Sequence, residues 1–209
     1  MTVIAPREGR RDLEDPVDIE TQRLLLRPLE EKDVDDLWPV VSDPAFPALM
    51  SWAAHRDRSE TLAWILRQAE GRARQRMITW GIVLDGRVVG CIGLSDIEWD
   101  FGAWRVDRAE LGYWLAPALW GQGIMTEAAR GVIAFGFDDL GLHKIAVAHL
   151  DGNPASQKVI EKLGFRFVGR REEDVWRDGR WIGHMLYELT ITEWSDVTAT
   201  RRYFRPPVQ

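Results

Sequence analysis

The chain has 209 residues and a net charge of −6, from 27 Lys and Arg against 33 Asp and Glu. This length predicts one domain with a well-filled core. An acidic chain lacks the positive field on which non-specific nucleic-acid binding depends. The single cysteine, Cys91, excludes an intramolecular disulfide framework and disfavours a cysteine-based zinc site. No apolar run reaches the length of a membrane span and no signal-peptide pattern is visible, so we expect a cytoplasmic protein.

The domain organisation follows from where periodic patterns begin and end. Residues 1–18 are charged and interrupted by proline and glycine, which predicts a flexible N-terminal arm. Residues 19–194 carry the hydrophobic periodicities and are expected to form the domain. Residues 195–209 are predicted to be a C-terminal tail. The short basic run at 201–205 is interpreted as solvated, with contact to RNA or a ribosome as the alternative.

The first half of the domain is predicted to place two helices between strands. The predicted elements are a strand at 22–27, helices at 32–41 and from about Asp57, and strands at 78–84 and 87–95. Asp57 and Glu60 have the spacing of a capping box, although Asp replaces the usual Ser or Thr. Asp85-Gly86 supplies a two-residue turn between alternating apolar runs, which predicts a β-hairpin.

The second half alternates strands and helices. The predicted elements are strands at 109–115, 144–150, 165–173 and 181–191, with helices from 124 to about 137 and at 153–163. The strand at 109–115, its helix and the strand at 144–150 predict a right-handed βαβ unit. Because hairpins occur beside this crossover, we expect an α/β protein of the mixed, α+β kind, with one mixed sheet.

A glycine-bearing turn joins the strand at 109–115 to its helix. It reads Trp120-Gly121-Gln122-Gly123, and glycines there let a ligand approach the backbone while the helix N-terminus attracts phosphate. No Gly-Lys-Ser/Thr sequence follows, so this is not a Walker P-loop. Thr126 stands where the dinucleotide fingerprint requires Gly or Ala. A tight turn without a ligand is the alternative interpretation.

Three motifs in order resemble the GNAT superfamily of acyl-CoA-dependent N-acyltransferases. They are the strand 109–115, the turn 120–123, and Asn153-x-x-Ser156 followed by Lys162-Leu163-Gly164-Phe165. The segments 19–27 and 178–181 resemble the branch of bacterial ribosomal-protein alanine N-acetyltransferases. The resemblance covers about residues 19–194. It implies a GNAT fold, in which a single, largely antiparallel mixed sheet is flanked by helices and a central βαβ unit binds coenzyme A.

The resemblance also implies a coenzyme site for acetyl-CoA, with no metal. The residues that match the family's coenzyme-binding positions are Leu115, Ala116, Trp120, Gly121, Gln122, Gly123, Ile124, Met125, Asn153 and Ser156. Asn153 has an alternative use as a helix N-cap. At position 118 the family has Gln or Arg, and this chain has Ala118. Backbone amides make most phosphate contacts in such loops, so we expect binding to survive, with an Arg or Lys from elsewhere supplying the missing donor.

Two catalytic roles are implied by the same resemblance. Ser156 is expected to protonate the departing coenzyme A thiolate, and the alternative is a solvated serine in a first helical turn. Glu110 is expected to act as the general base that leaves the acceptor amine neutral, because strand alternation puts it on one face with Gly112. The alternative for Glu110 is a carboxylate paired with an arginine. His149, on the strand at 144–150, is the reserve base.

The segment before the strand at 109–115 interleaves four carboxylates with aromatic residues. They are Asp96, Glu98, Asp100 and Asp107, with Trp99, Phe101 and Trp104. This composition suits a cationic amine, by charge and by cation–π contact, so Trp99 and Trp104 join Glu110 as candidate substrate-binding residues. The alternative is a solvated loop whose aromatic residues cover the core or a dimer partner.

Together these features predict an enzyme that transfers an acetyl group from acetyl-CoA to a primary amine by direct attack in a ternary complex. The acceptor implied is the N-terminal amine of a ribosomal or other protein. The alternatives are a small amine, such as an antibiotic, polyamine or amino-acid derivative, and a non-catalytic acyl-CoA-binding module. A nucleotide-dependent oxidoreductase is disfavoured by Thr126. We expect no nucleic-acid or membrane partner. The sequence leaves both a monomer and a homodimer as alternatives.

Overall fold

The sheet is the frame on which every other element lies. The computed structural model describes Leu13 and residues 17–199, and in that part of the chain eight strands form one sheet. The strands are β1 (Ile19–Glu20), β2 (Leu25–Pro28), β3 (Ile78–Leu84), β4 (Arg87–Phe101), β5 (Trp104–Leu115), β6 (Lys144–Leu150), β7 (Arg166–Arg177) and β8 (Arg180–Thr190). Their order is β1-β2-β3-β4-β5-β6-β8-β7. Among these described strands only β5 and β6 pair in parallel, which confirms the predicted mixed, largely antiparallel sheet.

Helices cover both faces of this sheet. They are α1 (Val34–Val41), α2 (Arg58–Ala73), α3 (Ile124–Ala134), α4 (Pro154–Leu163) and α5 (Ile191–Ala199). The main core contains the apolar sides of α3 and α4, and a second core contains Leu37 and Val41 of α1 with Ile65 of α2. Residues alternate between these cores along β5, since Leu111 belongs to the main core and Trp114 to the second.

Two local sequence patterns have the structures that they predict, namely the turn between β3 and β4 and the N-cap of α2. Asp85 and Gly86 have φ values of 50° and 79°, as a two-residue turn between β3 and β4 requires. Asp57 caps α2, because its side chain accepts hydrogen bonds from the backbone N–H groups of Ser59 and Glu60. The buried side of α2 is less apolar than the sequence indicates, since Thr61 is buried while Leu66 is exposed.

The segment expected to be a loop before residue 109 is instead strand. β4 continues to Phe101 and β5 begins at Trp104, so the two form one long hairpin. Register shifts after Ser95 and after Glu98 accommodate the irregular sequence within the ladder.

Both ends of the domain hold more structure than the sequence indicates. Within the predicted N-terminal arm, Leu13 and Val17 are buried in the main core, and the Trp80 indole N–H donates to the Val17 carbonyl at 2.7 Å. α5 occupies Ile191–Ala199, where no periodicity was evident. The basic run at 201–205 lies outside the described residues.

Candidate active site

The two parallel strands of the sheet diverge soon after they meet. β5 and β6 are in register only at Arg108–Lys144, Ala109–Ile145 and Glu110–Ala146. Beyond these pairs, residues 111–115 keep a described ladder partner only in β4, and residues 147–150 only in β8. The sheet therefore opens between the carboxyl halves of β5 and β6.

Backbone polar groups of β5 line this opening. The Ala116 N–H donates to the Val89 carbonyl, on the β4 side. Because an antiparallel ladder alternates, Leu115, Tyr113 and Leu111 direct their N–H and C=O groups away from β4. The Leu115 carbonyl accepts from the Trp120 indole N–H at 2.7 Å. Of the two β5-end residues expected to pair with a ligand, Leu115 faces the opening, whereas the N–H of Ala116 is already bonded.

The glycine turn leads from β5 into the N-terminus of α3. Gly121 and Gly123 both have a φ of 77°, a left-handed conformation that residues with a side chain rarely adopt. Gly123 is the N-cap and provides no side-chain oxygen for the first-turn amides of Ile124 and Met125. Uncapped amides at a helix N-terminus attract anions.

Arg23, in the segment between β1 and β2, lies beside this turn. Its Nε donates to Glu127 Oε2 at 2.6 Å, and its Nη1 donates to the Gln122 carbonyl at 3.2 Å. Its Nη2 lies 3.7 Å from where a Cβ on Gly123 would stand. Burial alone would raise the pKa of Glu127, but hydrogen bonds from Thr21 and Arg23 outweigh it and lower that pKa. The ionised carboxylate thus holds a guanidinium beside the turn.

The N-terminus of α4 lies at the other side of the opening. Asn153 is its N-cap, and Asn153 Oδ1 accepts from the Ser156 backbone N–H at 3.1 Å. The alternative use of Asn153 as a cap is therefore what the structure shows. Its amide nitrogen is not needed for that cap and stays available as a donor.

Ser156 meets a tyrosine that the sequence did not single out. Ser156 Oγ lies 2.9 Å from the Tyr113 hydroxyl, and either group can donate. Burial raises the pKa of Tyr113 to about 12, and the Ser156 hydrogen bond opposes part of that shift. The signal in the sequence was a tyrosine among leucines on the apolar side of β5, because a buried hydroxyl needs a polar partner.

Glu110 lies on the opposite face of β5 from Tyr113. That face carries Trp114, which packs against Phe46 and Trp52 of the second core. Glu110 is exposed, and no hydrogen bond or ion pair joins its carboxylate to another described residue. The arginine pairing considered for Glu110 is instead made by Glu98, which accepts from Arg108 at 2.8 Å.

Three other candidate residues have surroundings of their own. His149 is buried on the main-core side, where its ring stacks with Tyr187 and its Nδ1 lies 2.9 Å from the Leu150 carbonyl. Trp99 packs against the main core. Trp104 is 70% exposed at the tip of the β4–β5 hairpin, nine residues or about 30 Å along β5 from Tyr113. The structure does not bring Trp104 to the opening.

The described residues show neither a metal-binding cluster nor a membrane-spanning helix. They contain no group of three or more His, Cys, Asp or Glu side chains placed to hold a metal ion. No helix among them is long and apolar enough to cross a membrane.

The chain is similar to known proteins along most of its length. The "Acetyltransferase (GNAT) domain" family matches residues 23–166. "Putative ribosomal N-acetyltransferase YdaF" of Bacillus subtilis is 33% identical over 55% of this chain and 60% of its own length. "Uncharacterized N-acetyltransferase p20" of Bacillus licheniformis is 30% identical over 84% of this chain and 97% of its own.

A solved structure shares the fold. RimJ of Mycobacterium smegmatis in complex with CoA-disulfide superposes with a TM-score of 0.77 at 23% identity, covering 90% of this chain and 97% of RimJ. The family match spans most of the sheet, both sides of the opening and the glycine turn. The chain belongs to the GNAT family of acetyltransferases, and it is an acyltransferase.

Proposed function

We propose that this enzyme transfers an acetyl group from acetyl-CoA to a primary amine within a ternary complex. One observation carries the proposal: the opening between β5 and β6 ends at two helix N-termini and contains the Tyr113–Ser156 hydroxyl pair. Such an opening accepts an extended arm that bonds to strand backbone, while the uncapped helix N-terminus accepts phosphate.

The arm of the coenzyme has matching partners on both sides. Pantetheine carries two amide groups, and the backbone groups of Tyr113 and Leu115 face the opening. The Asn153 amide nitrogen can donate from the α4 side. This arrangement assigns Tyr113 and Leu115, more than Ala116, to the arm.

We propose that the phosphates have a charged partner in place of the Gln or Arg that the family has at position 118. The turn Gly121-Gln122-Gly123 and the amides of Ile124 and Met125 form the proposed pyrophosphate site. Arg23 holds a guanidinium beside Gly123, and this chain has Ala118 where the family has Gln or Arg. Since an Arg side chain binds phosphate through several donors, we propose Arg23 as the replacement.

The chemistry requires little beyond positioning and proton transfer. The amine nitrogen attacks the thioester carbon, the carbon–sulfur bond breaks, and the thiolate takes a proton from Ser156, which Tyr113 can resupply. Glu110 faces the other side of the sheet, where its negative charge meets an incoming ammonium group. Its carboxylate is one candidate for the proton of that amine.

The acceptor class rests on the relatives. YdaF is named as a putative ribosomal N-acetyltransferase, which supports an N-terminal amine of a protein as the acceptor. A small amine is the second candidate, because the exposed carboxylate of Glu110 attracts any ammonium group.

Calorimetry and mass spectrometry test the proposal. In calorimetry, the purified chain should bind coenzyme A and should not bind NAD. In mass spectrometry with acetyl-CoA present, one member of a panel of N-terminal peptides and small amines should gain one acetyl group. A chain that binds no coenzyme A thioester would contradict the proposal. Binding without transfer to any amine would favour the non-catalytic module.

A further inference from the structure

A histidine–carboxylate pair lies on β7 and β8, apart from the residues described so far. His184 Nδ1 lies 2.7 Å from Asp174 Oδ2, and the two side chains are 24% and 30% exposed. The structure gives no hydrogen-bond partner among the described residues to the second ring nitrogen, Nε2. A carboxylate on Nδ1 favours the tautomer whose Nε2 is a free acceptor.

An irregularity in β7 places Asp174 against the ring. Arg171 pairs with His184 and Val175 with Ile182, so β7 takes four residue steps where β8 takes two. Glu173, in the extra segment, has a φ of 47°, which is unfavourable for a residue with a side chain. Bulges and strained residues of this kind often redirect a side chain at functional sites.

The ring belongs to the same face of the sheet as Glu110. Met185, Tyr187 and Leu189 of β8 pack on the main core, so alternation puts His184 on the opposite face. In the β6–β8 ladder His184 is the partner of Leu150, at the carboxyl end of β6 where the opening is.

The surface between Glu110 and His184 contains both small and larger apolar residues, since Leu150 pairs with His184 and Leu186 pairs with Ala148 on the same face. Gly112 of β5 and Ala148 of β6 lie between the two, and a Cβ added to Gly112 would meet no atom within 4 Å. Arg177 of the β7–β8 hairpin donates to the Met50 carbonyl, close in sequence to Trp52, which packs on Trp114. The β7–β8 hairpin therefore extends across this face and contacts the residues that pack on the second core.

We propose that His184, oriented by Asp174, is the principal proton acceptor for the acceptor amine. This inference rests on the proposed function. The ammonium proton passes to Nε2, directly or through one water, and the freed lone pair forms the bond to the thioester carbon. The carbon–sulfur bond breaks with its electrons on sulfur, and Ser156 protonates the thiolate. Glu110 then contributes negative charge that attracts the ammonium group to this face of the sheet.

The charged surroundings of the ring are few. From β7, Asp174 and Arg171 face it, and Arg171 Nη1 lies 3.7 Å from Asp174 Oδ2. From β6 the partner is the apolar Leu150. Imidazole is a common general base, because it can take a proton and release it again.

Rate measurements against pH, at saturating acetyl-CoA, test this role. Removing a general base commonly costs 10² or more, so His184→Gln should lower kcat about 100-fold and abolish the acidic limb of the profile. Asp174→Asn should lower kcat about tenfold, because the ring loses the carboxylate that orients it. Imidazole in the buffer should partly restore His184→Ala. His143→Gln, at an exposed histidine outside this face, is the matched control and should behave as wild type.

The possible results separate this inference from the proposed function. If His184→Gln keeps its rate and profile while Glu110→Gln loses the acidic limb, Glu110 is the base and the inference is wrong. A fall in kcat without a change of profile and without imidazole rescue would show a structural role, which also overturns it. Wild-type protein that acetylates no amine would contradict the proposed function itself.

Discussion

The Tyr113 hydroxyl lies 2.9 Å from Ser156 Oγ and joins β5 to the first turn of α4 across the opening in the sheet. The two residues stand 43 positions apart in sequence. The contact puts two exchangeable protons at one place, where a leaving thiolate would need one. Ser156 is therefore held from two elements, since Tyr113 of β5 contacts its hydroxyl and Asn153, the cap of its own helix, accepts from its backbone N–H.

Removing either hydroxyl should affect turnover more than coenzyme binding. General acids typically contribute 10²–10⁴-fold, but a thiolate leaves readily, so we expect Ser156→Ala to lower kcat only about tenfold. Tyr113→Phe should lower it less, since Ser156 remains to act directly. Steady-state rates and calorimetry with coenzyme A measure the two quantities. If both variants keep the wild-type kcat, the pair has no part in proton transfer.

The ionisation of Tyr113 provides a second measurement. Burial raises its pKa to about 12, against about 10 in an unfolded chain. The folded state therefore favours the protonated phenol: this contribution to stability is complete below about pH 10 and is lost as the pH rises through about 12. Between those values wild-type protein should lose stability faster than Tyr113→Phe. Difference absorbance of the phenolate, wild type minus Tyr113→Phe, should show a midpoint near 12, and a midpoint near 10 would contradict the burial of this ring.

Arg23 should contribute to binding the phosphates and not the pantetheine arm. Hydrogen bonds to charged groups contribute about 1.5–3 kcal/mol, and the half-exposed position of Arg23 suggests the lower end. Arg23→Gln should therefore weaken coenzyme A binding about tenfold, the equivalent of about 1.4 kcal/mol. Acetyl-pantetheine, which lacks the phosphates, is the control and should keep its KM. If Arg23→Gln weakens the interaction with coenzyme A and with acetyl-pantetheine equally, Arg23 only supports the fold through its contact with Glu127.

Asn153 allows its cap and its proposed ligand contact to be separated. Asn153→Asp keeps the oxygen that accepts from the Ser156 N–H but removes the amide donor, so thermal stability should hold while coenzyme A binding weakens. Asn153→Ala removes both and should also cost about 1 kcal/mol of folding free energy. Unfolding curves and calorimetry on the two variants give the comparison. Unchanged binding in Asn153→Asp would leave Asn153 as a cap alone.

Local patterns account for much of the fold. The Asp85-Gly86 turn, the Asp57 cap, the strand at Lys144–Leu150 and the helix ending at Gly164 depend on neighbours within a few residues, and each formed where it was expected. The long β4–β5 hairpin and the α2 face were misjudged, because ladder pairing and packing outweighed local composition there.

The sequence by itself determined the order of elements from β2 to β8, the mixed sheet and the family, since hydrophobic period, glycine turns and short motifs are properties of the chain read along its length. Only the tertiary structure decided which side chains meet. Tyr113 with Ser156, Arg23 with Glu127, and Asp174 with His184 each join different elements, and the divergence of β5 from β6 has no signature in either strand. Those relationships depend on the angle between packed elements, and that angle is fixed by the whole core together.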